Sequence, residues 1–130
     1  MKAFETTVPA DLSATESALR EVLGANGFGV VSEIDVAANL KNAIGVQRAP
    51  LKILGACSPV LVQQALALDP AVALVLPCNV VLEPGDDDGT RVRIVDPRAL
   101  MDDPRFAELA DEAAASLKAA LAELASLTRP

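Results

Sequence analysis

The sequence predicts an α+β fold in a single domain that spans residues 1–130, and three observations favour it. Segments with apolar residues at every second position, typical of strands, occur between segments with helical spacing. The length suits one domain with one continuous core. The chain also closes with a long amphipathic segment whose stripe predicts a helix lying across the sheet. The stripe consists of Phe106, Leu109, Ala110, Ala113, Leu117, Ala120, Leu121 and Leu124.

The first two predicted elements are a strand and an amphipathic helix. Residues 2–8 alternate as a strand, and Pro9 ends it. A capping box formed by Ser13 and Glu16 predicts the start of the helix, and Gly27 predicts its end.

A strand and a short helix follow. In residues 28–34 the alternation predicts that Phe28, Val30 and Ile34 point inward. Asp35 is the predicted cap of the helix and Gly45 its stop. The apolar positions Val36, Leu40 and Ile44 share one face of that helix.

Two further strands flank a third helix. Residues 51–57 predict a strand, and Ser58 followed by Pro59 indicates a helix start, with Ser as the cap and Pro at the first helical position. Residues 72–83 are apolar on both faces and predict a strand covered on both sides. Pro77 removes one backbone donor there, which indicates an edge or a bulge.

The last strand comes from a hairpin, and two helix starts follow it. Residues 85–89 predict the hairpin connection and residues 91–95 the returning strand. Asp96-Pro97 predicts a turn or short helix, and Asp103-Pro104 predicts the start of the long terminal helix. The triple Asp within the connection lacks the ligand spacing of a calcium loop.

Composition excludes several classes of function. The net charge of −7 disfavours nucleic acid and anionic membranes, which are bound through Lys and Arg. The chain has no His, Tyr or Trp, so catalysis and metal binding that depend on His are excluded within one subunit. Apolar residues make up 52% of the chain, yet the apolar runs are too short for a membrane helix, so a homo-oligomer interface is expected to absorb the surplus.

Cys57 and Cys78 are the chemically unusual residues. Two cysteines without a visible export signal predict reduced thiols and a cytoplasmic location. If their strands ran parallel as neighbours, both sulfur atoms would lie near one end of the sheet, whereas an antiparallel arrangement would remove that argument. A paired dithiol could serve redox chemistry, carry sulfur or bind a soft metal. The alternative is that both are small buried residues.

Other polar residues give weaker signals. Glu33 and Asp35 are two apart on a strand end and could form an acid/base or cation-binding pair, although Asp35 also suits a helix cap. Lys41, Arg48 and Lys52 could form an anion-binding patch or a solvated face.

Three stretches, residues 27–36, 54–59 and 76–81, together resemble the bacterial and archaeal family called "domain of unknown function 302". The resemblance runs from about residue 10 to about residue 102. It implies an α+β fold with a mainly antiparallel sheet of about five strands, packed on helices as in TATA-box-protein-like folds. It also implies a homodimer, and it implies no established activity.

We therefore expect a homodimeric α+β domain of unknown biochemical function that binds a small ligand or a protein partner. The alternative function is a thiol-based redox, sulfur-carrier or soft-metal-binding protein that uses Cys57 and Cys78. No complete catalytic motif is present, so no enzyme activity and no cofactor are assigned. The candidate ligand-binding residues are Cys57, Ser58, Cys78, Asn79, Glu33 and Lys41.

Overall fold

Residues 1–127 contain one antiparallel sheet of five strands in the order β1-β5-β4-β3-β2. A computed structural model describes residues 1–127, and the last three residues of the predicted domain lie outside this range. The prediction of an α+β fold with a mainly antiparallel sheet is confirmed. The likeness to TATA-box-protein folds stays a prediction. The strands are β1 (Ala3–Val8), β2 (Gly29–Asp35), β3 (Lys52–Cys57), β4 (Cys78–Pro84) and β5 (Thr90–Val95).

Five α-helices and three short 3-10 helices lie between the strands or after the last of them within the described residues. The predicted long C-terminal helix is confirmed as α5, and it packs against β1 and α1. No helix within residues 1–127 is long and apolar enough to cross a membrane. The α-helices are α1 (Leu12–Ala25), α2 (Val36–Ile44), α3 (Pro59–Leu68), α4 (Pro97–Leu100) and α5 (Ala107–Leu127), and the 3-10 helices are Pro70–Val75, Asp86–Asp88 and Pro104–Phe106.

Local sequence signals set the ends of α2 and α3 as predicted. The Asp35 carboxylate accepts a hydrogen bond from the backbone N–H of Ala38 at 3.0 Å, and Gly45 ends α2 in the left-handed conformation with φ of 70°. Ser58 caps α3, with Pro59 at its first position. A cap satisfies backbone donors that the first turn of a helix leaves free, and glycine adopts a positive φ without strain.

The predicted capping box of α1 is wrong. Asp11 caps the helix instead, because its carboxylate accepts a hydrogen bond from the Ala14 N–H at 2.8 Å. Ser13 and Glu16 therefore lie inside the helix, and the Glu16 side chain is available for ion pairs elsewhere.

The predicted strand at residues 72–83 is also wrong in its first half. Asp69 and Pro70 start a 3-10 helix, in which the Asp69 carboxylate accepts from the Ala71 N–H at 2.9 Å. Val72 is buried in a small second core that includes Phe106. Its apolar character therefore reflects burial in this core and not a place in the sheet. Strand β4 begins only at Cys78.

Strand β2 departs from the predicted alternation. A bulge between Val30 and Ser32 shifts the register, so residues beyond it exchange faces, and Ile34 is 45% exposed instead of inward. The helix α2 that follows buries none of its residues, and the end of its predicted apolar stripe, Ile44, is exposed.

The main core lies between one face of the sheet and the two helices α1 and α5. We call this face of the sheet the covered face. Alternate residues in the central parts of β3, β4 and β5 are buried there, and the helices contribute their apolar stripes. Burial of this surface is the dominant stabilising contribution. The strand residues of the covered face are Leu54, Ala56, Val80, Leu82, Val92 and Ile94.

Candidate functional site

A small cavity of about 30 Å³ lies where the end of β3 meets the start of β4, beneath α3 and α5. A water molecule needs roughly 10–15 Å³ by this measure, so the cavity could hold one or two. Its walls are apolar apart from one hydroxyl and three sulfur-bearing side chains. The lining residues are Phe28, Ala56, Cys57, Ser58, Leu61, Val62, Ala65, Leu76, Cys78, Met101, Leu109 and Ala113.

The two cysteines line this cavity together, although their strands are antiparallel. The argument from parallel strands is therefore wrong. Cys57 ends β3 and Cys78 begins β4, and the register places Ala56 directly opposite Cys78. In an antiparallel pair the end of one strand lies beside the start of the next, so the later start of β4 brings the two thiols to the same end of the sheet.

Ser58 joins the cysteines at the cavity because it connects β3 to α3. Its hydroxyl accepts a hydrogen bond from the Leu61 N–H at 3.5 Å, so it is the cap of the helix as well as part of the cavity wall. The N-terminus of α3 therefore lies directly beside Cys57. Helix N-termini carry a partial positive charge that favours nearby anions.

The environment of both thiols disfavours ionisation at neutral pH. Burial raises the pKa of Cys57. Burial, together with the charge of an ionised Cys57, raises the pKa of Cys78 to about 11. Because the thiolate is the nucleophile, neither residue is activated for attack in the free protein.

Met101 is the residue of this cavity that the sequence analysis missed. It follows α4 directly and is half-buried, more than twenty positions from either cysteine in the chain. The chain contains two Cys and two Met, and all of them except Met1 line the cavity. The scarcity of sulfur was visible in the sequence, but no local pattern connected Met101 to the cysteines.

The remaining candidate residues lie away from the cavity or have other partners. Asn79 follows Cys78 in β4 but is exposed, with Gly55 opposite it in β3. Lys41 is exposed in the last turn of α2. Glu33 forms ion pairs with Lys52 and, at 3.2 Å, with Arg20.

Glu33 and Lys52 belong to an ion cluster with Arg20 and Glu16 at the edge of the covered face. The Lys52 ammonium lies 2.6 Å from the Glu16 carboxylate, and Arg20 lies 3.0 Å from it. The cluster gives Glu33 and Lys52 partners within the fold. Asp35 in turn caps α2, so both carboxylates of the predicted acid/base pair have partners within the fold. Of the predicted anion patch, Lys52 is paired, and the patch stays a prediction.

The opposite surface of the sheet, which we call the open face, is half-buried or exposed except at Gly55. One row of paired residues crosses it from β2 to β1: Ile34, Ile53, Val81, Arg93 and Glu5. The row is aliphatic on β2, β3 and β4, and charged on β5 and β1.

The charges of the open face balance. Arg91 lies 3.0 Å from Glu5 and 3.7 Å from Glu83, and Arg93 lies 2.9 Å from Glu83. The Nε of Arg93 is buried without a hydrogen-bond partner. Two Arg and two Glu thus give this surface no net charge, on a chain whose net charge is −7.

The fold and the cavity together define a class of protein: an α+β domain with helices on one face of an antiparallel sheet and thiols at one sheet end. The chain belongs to the family described as "Domain of unknown function DUF302", whose sequence pattern matches residues 4–124. It is similar to a solved structure described as an uncharacterized conserved protein DUF302 from Bacillus stearothermophilus. The two are 26% identical, with a TM-score of 0.85 over 96% of this chain and 98% of that chain. No curated protein matches the sequence.

Proposed function

We propose that the protein is a homodimeric, non-catalytic binding domain whose subunits associate through their open faces. The observation that carries the proposal is the row of Ile34, Ile53 and Val81 beside a charge-balanced group of Arg and Glu. Two copies of an acidic chain repel each other over most of their surface, and this face is neutral. Its aliphatic half would supply the apolar contact that a dimer needs.

A second apolar surface provides the competing interface. Helix α3 is apolar except at Gln63 and Gln64 but buries only Ala65. Val60, Leu68 and, in the following 3-10 helix, Leu74 are exposed. The nearby acids Asp102 and Asp103 make this surface less suited to a second acidic copy. We therefore assign the dimer contact to the open face.

The test is the oligomeric state of two charge-introducing variants, measured by sedimentation equilibrium. Ile53→Asp places a negative charge in the aliphatic row, so we expect the dimer to weaken at least tenfold, corresponding to about 1.4 kcal/mol. Leu74→Asp is the matched control, because Leu74 is 88% exposed and lies outside the open face. Its dimer should be unchanged.

The opposite pattern, with Leu74→Asp dissociated and Ile53→Asp dimeric, would assign the interface to the α3 surface. A monomeric wild-type protein at about 100 μM would overturn the dimer itself, since stable interfaces hold well below that concentration. Circular dichroism of each variant shows whether its fold is kept.

The non-catalytic part of the proposal is supported by the raised pKa of both thiols. We expect Cys57 and Cys78 to react slowly with iodoacetamide at neutral pH, more slowly than in the protein unfolded by urea. A reactive thiol with an apparent pKa well below about 8.5 would favour the redox or sulfur-carrier alternative. The small apolar cavity therefore favours binding of a small ligand over activation of either thiol as a nucleophile.

A further inference from the structure

We propose that the cavity binds a single monovalent soft metal ion, Cu(I), through the Sγ atoms of Cys57 and Cys78 and the Sδ atom of Met101. The assignment rests on the proposed role as a binding domain and is independent of the dimer. It names the ligand class that the cavity accepts.

The convergence of three sulfur-bearing residues on one cavity is the first argument. Three different segments contribute them: the end of β3, the start of β4 and the residue after α4. Every sulfur-bearing side chain except that of Met1 lines this one cavity of a 130-residue chain. Thiolate and thioether ligands together select Cu(I) over harder ions.

The chemistry of the remaining walls is the second argument. The other lining side chains are apolar, and the Ser58 hydroxyl already accepts the Leu61 N–H. Mg²⁺ and Ca²⁺ need six or more oxygen ligands. A cavity of about 30 Å³ that offers one hydroxyl and has room for one or two water molecules does not supply them. Zinc needs four ligands, and no group of three or more His, Cys, Asp or Glu suited to a metal occurs within residues 1–127.

The charge balance is the third argument. Binding converts two thiols to thiolates, releases two protons to solvent and leaves copper as Cu(I), while the Met101 thioether contributes a lone pair and no proton. The resulting complex carries one negative charge. The N-terminus of α3, a helix of ten residues, begins beside Cys57 and offers a partial positive charge to it. The high pKa of Cys78 means that metal binding is coupled to proton release.

The experiment is an anaerobic titration of the full chain with Cu(I) in competition with the chromogenic chelator bicinchoninate. We expect one ion per chain, with affinity rising with pH as thiol protons are released. X-ray absorption at the copper edge should report sulfur ligands only. Zn(II), titrated under the same conditions, should not bind at this stoichiometry.

Variants then assign the ligands. Cys57→Ser and Cys78→Ser should each lose at least about 100-fold in Cu(I) affinity, and Met101→Leu about tenfold, since even residues beyond the metal ligands cost 10–100-fold. Met101→Leu conserves volume, so the fold should be kept. Leu109→Val is the control, because it alters packing at the same cavity without removing sulfur. Its affinity should match that of wild type.

Three results would overturn the assignment: no Cu(I) taken from bicinchoninate, wild-type affinity in Met101→Leu, or undiminished binding in both cysteine variants. If Cys78→Ser does not fold, the Cys57 and Met101 variants still decide the question. Failure here with an intact dimer in sedimentation removes the metal and leaves the proposed dimer standing. If the protein binds Cu(I) but sediments as a monomer, the metal site stands and the proposed dimer is wrong.

Discussion

The two faces of the sheet share the same strands but have different surroundings. On the covered face, the six residues of β3, β4 and β5 are at most 1% exposed and lie against α1 and α5. On the open face, the alternate residues of these strands are half-buried or exposed, apart from Gly55. The covered face therefore forms the main core of the subunit, while the open face contributes less buried surface.

The largest expected effect compares neighbours in β3 that point to opposite faces. Leu54 is fully buried, so Leu54→Ala should lower the free energy of unfolding by about 2–5 kcal/mol through lost burial and a cavity. Ile53→Ala on the open face should cost about 1 kcal/mol. Urea denaturation of both variants, at a protein concentration where the chain is monomeric, gives the values. Equal losses would mean that the two faces do not differ as described.

A smaller effect compares two glycines of neighbouring strands. A Cβ atom on Gly55 would lie 2.6 Å from the Cγ of Pro77 and would also clash with Ser32, whereas a Cβ on Gly29 meets nothing within 4 Å. Gly55→Ala should therefore cost about 1–3 kcal/mol. Gly29→Ala should change stability by less than about 0.5 kcal/mol. Thermal denaturation of the pair measures the difference, and a neutral Gly55→Ala would show that Pro77 can move away.

The smallest effect compares two carboxylates. Burial raises the pKa of Glu16, but hydrogen bonds from Lys52 and Arg20 outweigh it, so the pKa is lowered from its ordinary value of 4.5. A lowered folded-state pKa gives stability that is present above the unfolded value and lost as the pH falls through the folded one. Glu16→Gln should cost about 1 kcal/mol at neutral pH, and this loss should become smaller at an acid pH below 4.5, as Glu16 is protonated.

The matched carboxylate is Glu5 on the open face, whose ion pair with Arg91 is exposed. Glu5→Gln should cost at most about 0.5 kcal/mol, because solvent and salt screen such pairs. Urea denaturation at both pH values measures each variant. A loss in Glu16→Gln that persists unchanged in acid would show that the ion cluster is not its source.

Sequence patterns predicted the features that depend on neighbours in the chain. The caps at Asp35 and Ser58 and the stop at Gly45 are confirmed because each is a local hydrogen bond or backbone conformation. The long stripe of α5 is confirmed because it extends over many turns.

The sequence patterns failed where contacts between residues distant in the chain determine the local structure. The bulge in β2 depends on pairing with β3. The apolar residues of the 3-10 helix at Pro70–Val75 are explained by packing on Phe106 and not by pairing in the sheet. The cavity could be predicted only in part, since the proximity of the cysteines follows from where β4 begins. Met101 enters the cavity through tertiary packing, for which the sequence carries no periodic signal.

The antiparallel register at the cysteine end has a further consequence for how the family's motifs are distributed. Gly29 pairs with Cys57, and Ala56 pairs with Cys78, so the three stretches that resemble the family form one corner of the molecule. Backbone pairing fixes the spacing within that corner. One inserted residue beside the bulge of β2 would therefore shift the register that holds the three stretches together.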